Sequence, residues 1–384
     1  MKIMKILYLS DDYPFSIVHH SLCRNLILND IDVSAFYSSV EGKLRICDLR
    51  STYTDVDYPQ YLHEVNRKEW LFKYDFFYKI QSKYQSLLQQ VEVTQFSIVH
   101  AATLFSEGAV ALKLWKEKEI PYIVAVRGTD IHFYFKYMFH VWNLGLEILK
   151  NAKRVIFITE NSFYVLTKHF LLKRNYQWLM DKMEVLPNGI DDFWIENSYP
   201  KKEKNLPCRL LYIGKFDKNK NVLSLLEAVL SLKKEFPNLF LTLVGGGQEN
   251  HNKVIGYCNK FPNTFSYLGK ITDKKELCSV IRKNDLFVMP SHSETFGLVY
   301  LEALSQGLPV LYTKGQGIDG VFAASVGEAV NSRSVSSIGG GIKKIIQKYD
   351  SYKSIDDMSG YSWFSIAKKY KQIYLDCESS HKYD

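Results

Sequence analysis

No window of this 384-residue chain approaches the roughly 18 to 20 consecutive apolar residues that a membrane-spanning helix needs. Met1 to Ser10 runs directly into an apolar strand-like stretch, Ile6 to Leu9, without the apolar core and cleavage site of a signal peptide, so a cytoplasmic protein is expected. Six cysteines, Cys23, Cys47, Cys208, Cys258, Cys278 and Cys377, contain neither a CxxC pair nor a matching histidine spacing. That excludes a recognisable zinc motif or disulfide framework and leaves reduced, mostly buried thiols as the expectation. No other cluster has metal-ligand spacing, and neither short repeats nor low-complexity segments occur. A net charge of +8 is modest for this length. It suits anionic substrates, an anionic membrane surface or nothing in particular, and no nucleic-acid partner is expected.

What the chain does contain is the composition of a soluble globular protein, 46% hydrophobic and 23% charged, with an unusually high aromatic share of 14%. Apolar strand-like runs alternate with helical patterns: Lys5 to Ser10, helix His19 to Asn29, Asp32 to Tyr37, Ile98 to Ala101, helix Glu107 to Lys118, Tyr122 to Val126 and Val155 to Thr159. Around Pro187 to Gly189 the pattern breaks, and Lys201 to Pro207 reads as a polar, basic linker. A second series follows through Leu210 to Gly214, helix Val222 to Phe236, Phe240 to Gly245, helix Lys274 to Arg282, Leu286 to Met289, helix Leu298 to Ser305 and Pro309 to Thr313. Trp363 to Leu375 forms a last helical stretch. Such alternation predicts an α/β protein with two doubly wound, Rossmann-like domains, 1–195 and 206–360, whose parallel sheets face a cleft.

The densest local signal lies between Asp285 and Pro309. A helix entered through a loop with a glycine, Gly297, offers unpaired N–H groups and a positive dipole end from Phe296 to Leu298, a place suited to a phosphate. Glu294 and Glu302 flank this entrance. Glu302 sits in a helix that is apolar nearly all round, so its carboxylate either accepts hydrogen bonds from a ligand such as a sugar or ribose hydroxyl pair, or lies on a narrow exposed stripe. Beside a diphosphate Glu294 would be repelled, and is expected to point towards neutral hydroxyls.

Lys215 and Lys220 follow a strand in the run Gly214-Lys-Phe-Asp-Lys-Asn-Lys220. Cations fixed there would stabilise a departing diphosphate more than the bound one; alternatively the run is a solvated basic loop. Gly245, Gly246 and Gly247 make a turn that backbone can use to approach a ligand closely. Tyr267 to Ile271, which includes Lys270, can offer backbone groups to a base edge.

These segments together resemble the retaining, GT-B fold glycosyltransferases of family 4. The resemblance rests on the E-x7-E spacing of Glu294 and Glu302, on the run from Gly214 to Lys220, and on Gly307-Leu-Pro-Val310. Val99-His-Ala101, Arg127-Gly-Thr-Asp130, Pro187-Asn-Gly-Ile-Asp191 and Tyr361-Ser-Trp363 add to it. It implies that Glu302 holds the donor's ribose and Glu294 the hydroxyls of the transferred sugar. Phe296, Gly297 and Leu298 would present amides to the diphosphate, with Lys215 and Lys220 as the cationic clamp and Gly214, Gly246 and Lys270 on the donor side. Arg127 is implied as a further catalytic group, with Ser16, His19 and Asp130 as acceptor-side candidates. The helix 363–384 would cross back to the first domain. Lys215 stands where the family usually has arginine, Arg127 where many relatives have histidine, and the loop Tyr13 to His20 lacks the glycine pair common there. His19 and His20 read equally well as surface residues at a helix start.

The activity implied is transfer of a sugar from a nucleotide diphosphate, uridine diphosphate by family habit, to a hydroxyl of a glycan or lipid-linked acceptor in cell-surface polysaccharide synthesis. Configuration would be retained, with no metal or cofactor required. A nucleotide-sugar epimerase, a glycan phosphorylase or a non-catalytic partner subunit shares much of the pattern. Finally, basic residues interleave with large aromatics in Arg67 to Leu88 and His132 to Trp142. Such faces lie in an anionic membrane interface or pack as core.

Overall fold

The computed structural model describes residues 4–40, 55–65, 75–201, 207–353, 355 and 357–381. Two compact units emerge, Met1–Gly189 joined by Trp363–Asp384, and the continuous segment Ile190–Ser362. The second unit begins at Ile190, earlier than the expected linker, of which residues 202–206 lie outside the described residues.

The first unit is built on a seven-stranded sheet of order β3-β2-β1-β4-β5-β6-β7. Its strands are β1 Lys5–Leu9, β2 Asp32–Val40, β3 Gln60–Val65, β4 Ile98–Ala101, β5 Tyr122–Val126, β6 Arg154–Phe157 and β7 Met183–Val185. Every pairing between these strands is parallel. β4 and β5 are buried along their whole length, as strands covered on both faces must be. Successive residues enter opposite layers. Leu7 and Leu9 join one apolar cluster, with helices Phe76–Gln90, Ser106–Lys118 and Trp142–Asn151, while Ile6 and Tyr8 join another, with helices Ile17–Ile27 and Trp363–His381.

The second unit has six parallel strands in the order β10-β9-β8-β11-β12-β13: β8 Arg209–Lys215, β9 Phe240–Gly246, β10 Phe265–Tyr267, β11 Leu286–Val288, β12 Val310–Thr313 and β13 Gly327–Val330. Glycine is required where β8 and β9 close up. A Cβ at Gly245, whose φ is 119°, would lie 2.0 Å from the Gly214 carbonyl oxygen. The chain passes between units at two adjacent points. The Ile190 N–H donates to the Tyr361 carbonyl at 2.8 Å, and a Cβ at Gly189 would press 2.7 Å from the Trp363 ring.

A buried charge cluster braces the first unit. The Lys83 ammonium, 1% exposed as a residue, lies 2.7 Å from Asp11 Oδ1 and 3.4 Å from Glu107 Oε1. The Asp11 and Ser38 amides and the Thr103 hydroxyl donate to the same two carboxylates, so the loops leaving β1 and β4 are tied to each other and to β2. Burial works against the charge on Lys83, and the two carboxylates outweigh it, holding its pKa above the usual lysine value. Lys83→Met would leave the buried Glu107 carboxylate without its cation, while Asp11, partly exposed, keeps Lys79 at 3.5 Å. The substitution should destabilise the first unit by about 3–5 kcal/mol, read as a lowered urea midpoint for that unit with the second unit's transition unmoved.

Candidate functional site

Strand order in the second unit reverses between β8 and β11, because the chain builds outward through β9 and β10 and then returns to the other side of β8. Loops leaving the carboxyl ends of two such strands diverge and open a crevice, the usual ligand position in a parallel sheet. Here the two loops are stapled by Asn219. Its amide Nδ2 donates to the Ser293 carbonyl at 2.9 Å, its Oδ1 accepts the Ser293 N–H at 2.9 Å, and its carbonyl accepts the His292 N–H at 2.7 Å. Asn221, in the left-handed region at φ 56°, donates to the carbonyls of Pro290 and Ser332 at 3.1 and 2.7 Å.

Lys220 and Glu294 are thereby brought together as an ion pair, Nζ to Oε2. Three donors on the ammonium leave capacity for a second anion. The Glu294 backbone is held from the far side, its amide by Gln316 Oε1 at 3.2 Å and its carbonyl by the Gly317 N–H at 2.9 Å. Gly317, at φ 57°, is needed at that spot, since a Cβ would meet Phe296 O at 3.0 Å.

Past this loop the helix Leu298–Ser305 starts at Gly297, whose φ is 79°. Any side chain there would collide with the Tyr300 ring at 2.6 Å, and Tyr300 is fixed by its hydroxyl donating to the Met289 carbonyl at 2.5 Å. Among the described residues none accepts a hydrogen bond from the amides of Phe296, Gly297 or Leu298. Three donors at a helix N-terminus thus stand free beside the Lys220–Glu294 pair. One turn on, Glu302 is neither fully buried nor on an exposed stripe. No described group hydrogen-bonds its carboxylate, and burial, with Asp191 adding and Lys274 opposing, pushes its pKa up to about 7. Lys274 is itself paired with Asp191 at 2.5 Å. A carboxyl raised this way is suited to accept hydrogen bonds from hydroxyl groups.

Other expected members are placed less tightly. Lys215 ends β8 with an exposed side chain, next to Gly214. Gly246, at φ 125°, turns the chain beneath the Tyr267 hydroxyl, which donates to the Gly245 carbonyl at 3.0 Å. Lys270 is exposed beyond β10, and the described contacts tie only its neighbour Gly269 to this turn, through the Gly245 N–H at 2.8 Å.

In the first unit Arg127 follows β5, its Nε donating to the Ala102 carbonyl at 3.1 Å and a terminal nitrogen to Asn188 Oδ1 at 3.3 Å. Asp130 is 1% exposed and accepts the amides of Arg127, Leu104 and Phe105 at 2.8, 3.1 and 3.3 Å. Burial raises its pKa to about 7 against those bonds. Asp130 therefore braces the loops after β4 and β5. His19 and His20 are not surface residues: both are buried, at 8% and 2% exposure. His19 Nδ1 shares a hydrogen bond with the Tyr8 hydroxyl at 2.6 Å, and burial, then Arg127 and His20, lower its pKa to about 3. It stays neutral at working pH. Ser16 precedes helix Ile17–Ile27, its carbonyl accepting the His19 N–H at 3.2 Å.

Asn219 and Asp191 stand within runs quoted from the sequence without a role of their own, and Gln316, Gly317 and Lys274 were not singled out. The glycines at 315, 317 and 320 were a visible sign of a loop approaching something closely; the others act only through partners distant in the chain.

Residues 16–192 match the family model for Glycosyltransferase Family 4, and residues 195–359 match that for Glycosyl transferases group 1. The chain belongs to the family 4 glycosyltransferases. It is 26% identical over 206 residues to glycogen synthase of Mycobacterium tuberculosis, covering 50% of this chain and 48% of that one. To alpha-monoglucosyldiacylglycerol synthase of Acholeplasma laidlawii it is 23% identical over 267 residues, covering 64% of each. The matches thus span about half to two thirds of these curated relatives. The crystal structure of Anabaena HepE in complex with UDP and glucose superposes with a TM-score of 0.66 at 15% identity, covering 97% of this chain and 99% of that one. The expected GT-B class of fold is the one found.

The raised pKa of Glu302 has a consequence for stability. Below about pH 4.5 its carboxyl is protonated folded or unfolded; as pH rises to about 7 the folded state increasingly resists ionisation, and the resulting loss of stability persists above that. Glu302→Gln removes the loss. Without ligand, the variant should be more stable than wild type by about 1–3 kcal/mol at pH 8 and equal to it near pH 4.5, by urea unfolding of the second unit.

Proposed function

We propose that this chain transfers a sugar from a nucleotide diphosphate, with uridine diphosphate as carrier, to a hydroxyl of a glycan or lipid-linked acceptor, with retention of anomeric configuration. The observation that carries this reading is the grouping of three unpaired amides, from Phe296 to Leu298, with the Lys220–Glu294 pair and the unpartnered Glu302 carboxyl. Anion donors and hydroxyl acceptors then stand along one helix end, as a sugar nucleotide requires.

In this reading the amides and Lys220 hold the diphosphate, with Lys215 as the outer cation. Charge on the diphosphate grows as the glycosidic bond breaks, so fixed positive groups favour the transition state over the ground state. Glu294, neutralised in part by Lys220, faces the hydroxyls of the departing sugar, and Glu302 accepts from the ribose. A diphosphate oxygen takes the acceptor proton on the face it leaves, which retains configuration without an enzymic nucleophile. Lysines and the helix end supply the charge stabilisation, so no metal or other cofactor is required. Gly214, Gly246 and Lys270 complete the nucleotide side. Arg127, Ser16 and His19 are the acceptor-side groups, with neutral His19 a hydrogen-bond partner rather than an acid. Support for the carrier comes from the UDP and glucose in the Anabaena structure, and support for an acceptor of glycan or lipid type from the names of the two relatives. A place in cell-surface polysaccharide synthesis, on the cytoplasmic side, is part of the same proposal.

Calorimetry and product analysis test the reading. Glu302→Ala should weaken binding of the cognate nucleotide sugar at least tenfold. Lys220→Ala should lower kcat by about 10²–10³. NMR of the product should show the donor's anomeric configuration, formed at an unchanged rate in EDTA and only with acceptor present. An acceptor-independent epimer, or a wild type that binds no nucleotide sugar, would refute it.

A further inference from the structure

We propose that one face of the first unit, formed by segments 132–142 and 164–174 and the start of helix Phe76–Gln90, seats on an anionic lipid bilayer. The aromatic stripe of that helix divides cleanly: Phe76, Ile80, Tyr84 and Leu87 are core, while Phe77 is 55% exposed. In the segment after β5, Phe135 and Val141 are buried and anchor it, yet Phe133, Tyr137 and Phe139 are 48%, 58% and 73% exposed. Phe170 is 61% exposed. Single exposed rings are ordinary; here they cluster on two segments that meet where Trp142 contacts Phe170. Phe139 lies 6.4 Å from Trp142, and Trp142 5.2 Å from Phe170. Phe133 reaches Phe77 through Tyr134 and Phe76, with successive ring centroids 5.5, 6.0 and 5.7 Å apart.

Within segments 132–142 and 164–174 the charge has one sign, whereas Asp75 stands exposed beside Phe77 at the start of helix Phe76–Gln90. Segments 132–142 and 164–174 contain no Asp or Glu, and they carry Lys136, Lys168, Lys173 and Arg174, all exposed. Lys136 lies over the Tyr137 ring, 5.0 Å from its centroid. Protein interfaces enrich aromatic residues and deplete lysine. Rings that stand proud among uncompensated cations instead match a headgroup layer, where rings enter the interface and ammonium groups meet lipid phosphates. The surface adjoins the candidate acceptor side, since segment 132–142 begins just after Arg127 and Asp130 on the carboxyl end of β5. On the transferase reading above, the acceptor is therefore an amphiphile presented from the bilayer.

Flotation of the full chain with phosphatidylcholine vesicles, with and without phosphatidylglycerol, tests the seat. Binding is expected only to the anionic vesicles and should be lost in 0.5 M salt. Phe133→Ser/Phe139→Ser and Lys168→Glu/Lys173→Glu should each cut the bound-to-free ratio at least tenfold, with melting temperature and nucleotide-sugar binding unchanged. Absence of wild-type flotation, or variants that float as wild type does, would overturn the proposal. So would a wild type that only self-associates, with the Phe variant monomeric by light scattering. Nucleotide-sugar binding is read in a separate assay, so failure of the bilayer seat and failure of the transferase reading are told apart.

Discussion

Parallel pairing of β8 with β11 sets two loops side by side that the chain separates by some seventy residues, and the candidate donor site depends on that one adjacency. The carboxamide of Asn219 sets their spacing through two hydrogen bonds to the same residue, an arrangement that tolerates little shear. Lys220 follows Asn219 directly and Glu294 follows Ser293 directly, so the ion pair inherits its geometry from the staple. Tyr300 continues the chain of support. It is held by Met289 at the end of β11 and in turn dictates a glycine at the helix entrance.

The two units treat buried charge differently. In the first, Lys83 contacts both Asp11 and Glu107, and Asp130 accepts three amides. Those groups are braces that tie neighbouring loops to one another. In the second, Glu302 and three amides are left without described partners. Unsatisfied groups cost stability, and they are retained where a ligand supplies the missing bonds.

Much of this was legible from sequence where the cause is local. Ile98–Ala101, Tyr122–Val126, Lys274–Arg282 and Leu298–Ser305 lie where apolar period and turn residues place them. β3, β7 and β13 were not foreseen; they are edge strands, short and only partly buried, so alternation is their weakest signal. The burial of His19 and His20 was equally hidden. It depends on helix Trp363–His381 covering that face, a contact across most of the chain. Within the candidate site, the expected residues were read from type and spacing, whereas Asn219, Gln316 and Lys274 matter through what they touch.

The two chain passages between units, at Gly189–Ile190 and Ser362–Trp363, lie one hydrogen bond apart. The second unit is therefore an uninterrupted insert whose entry and exit coincide, while the first is a complete seven-stranded scaffold with its closing helix delivered after the insert. Such a layout makes the second unit a cassette: exchange of residues 190–362 between relatives leaves every strand pairing of the first unit intact. On the proposed reading, donor choice and acceptor choice can then drift on separate clocks within one polypeptide.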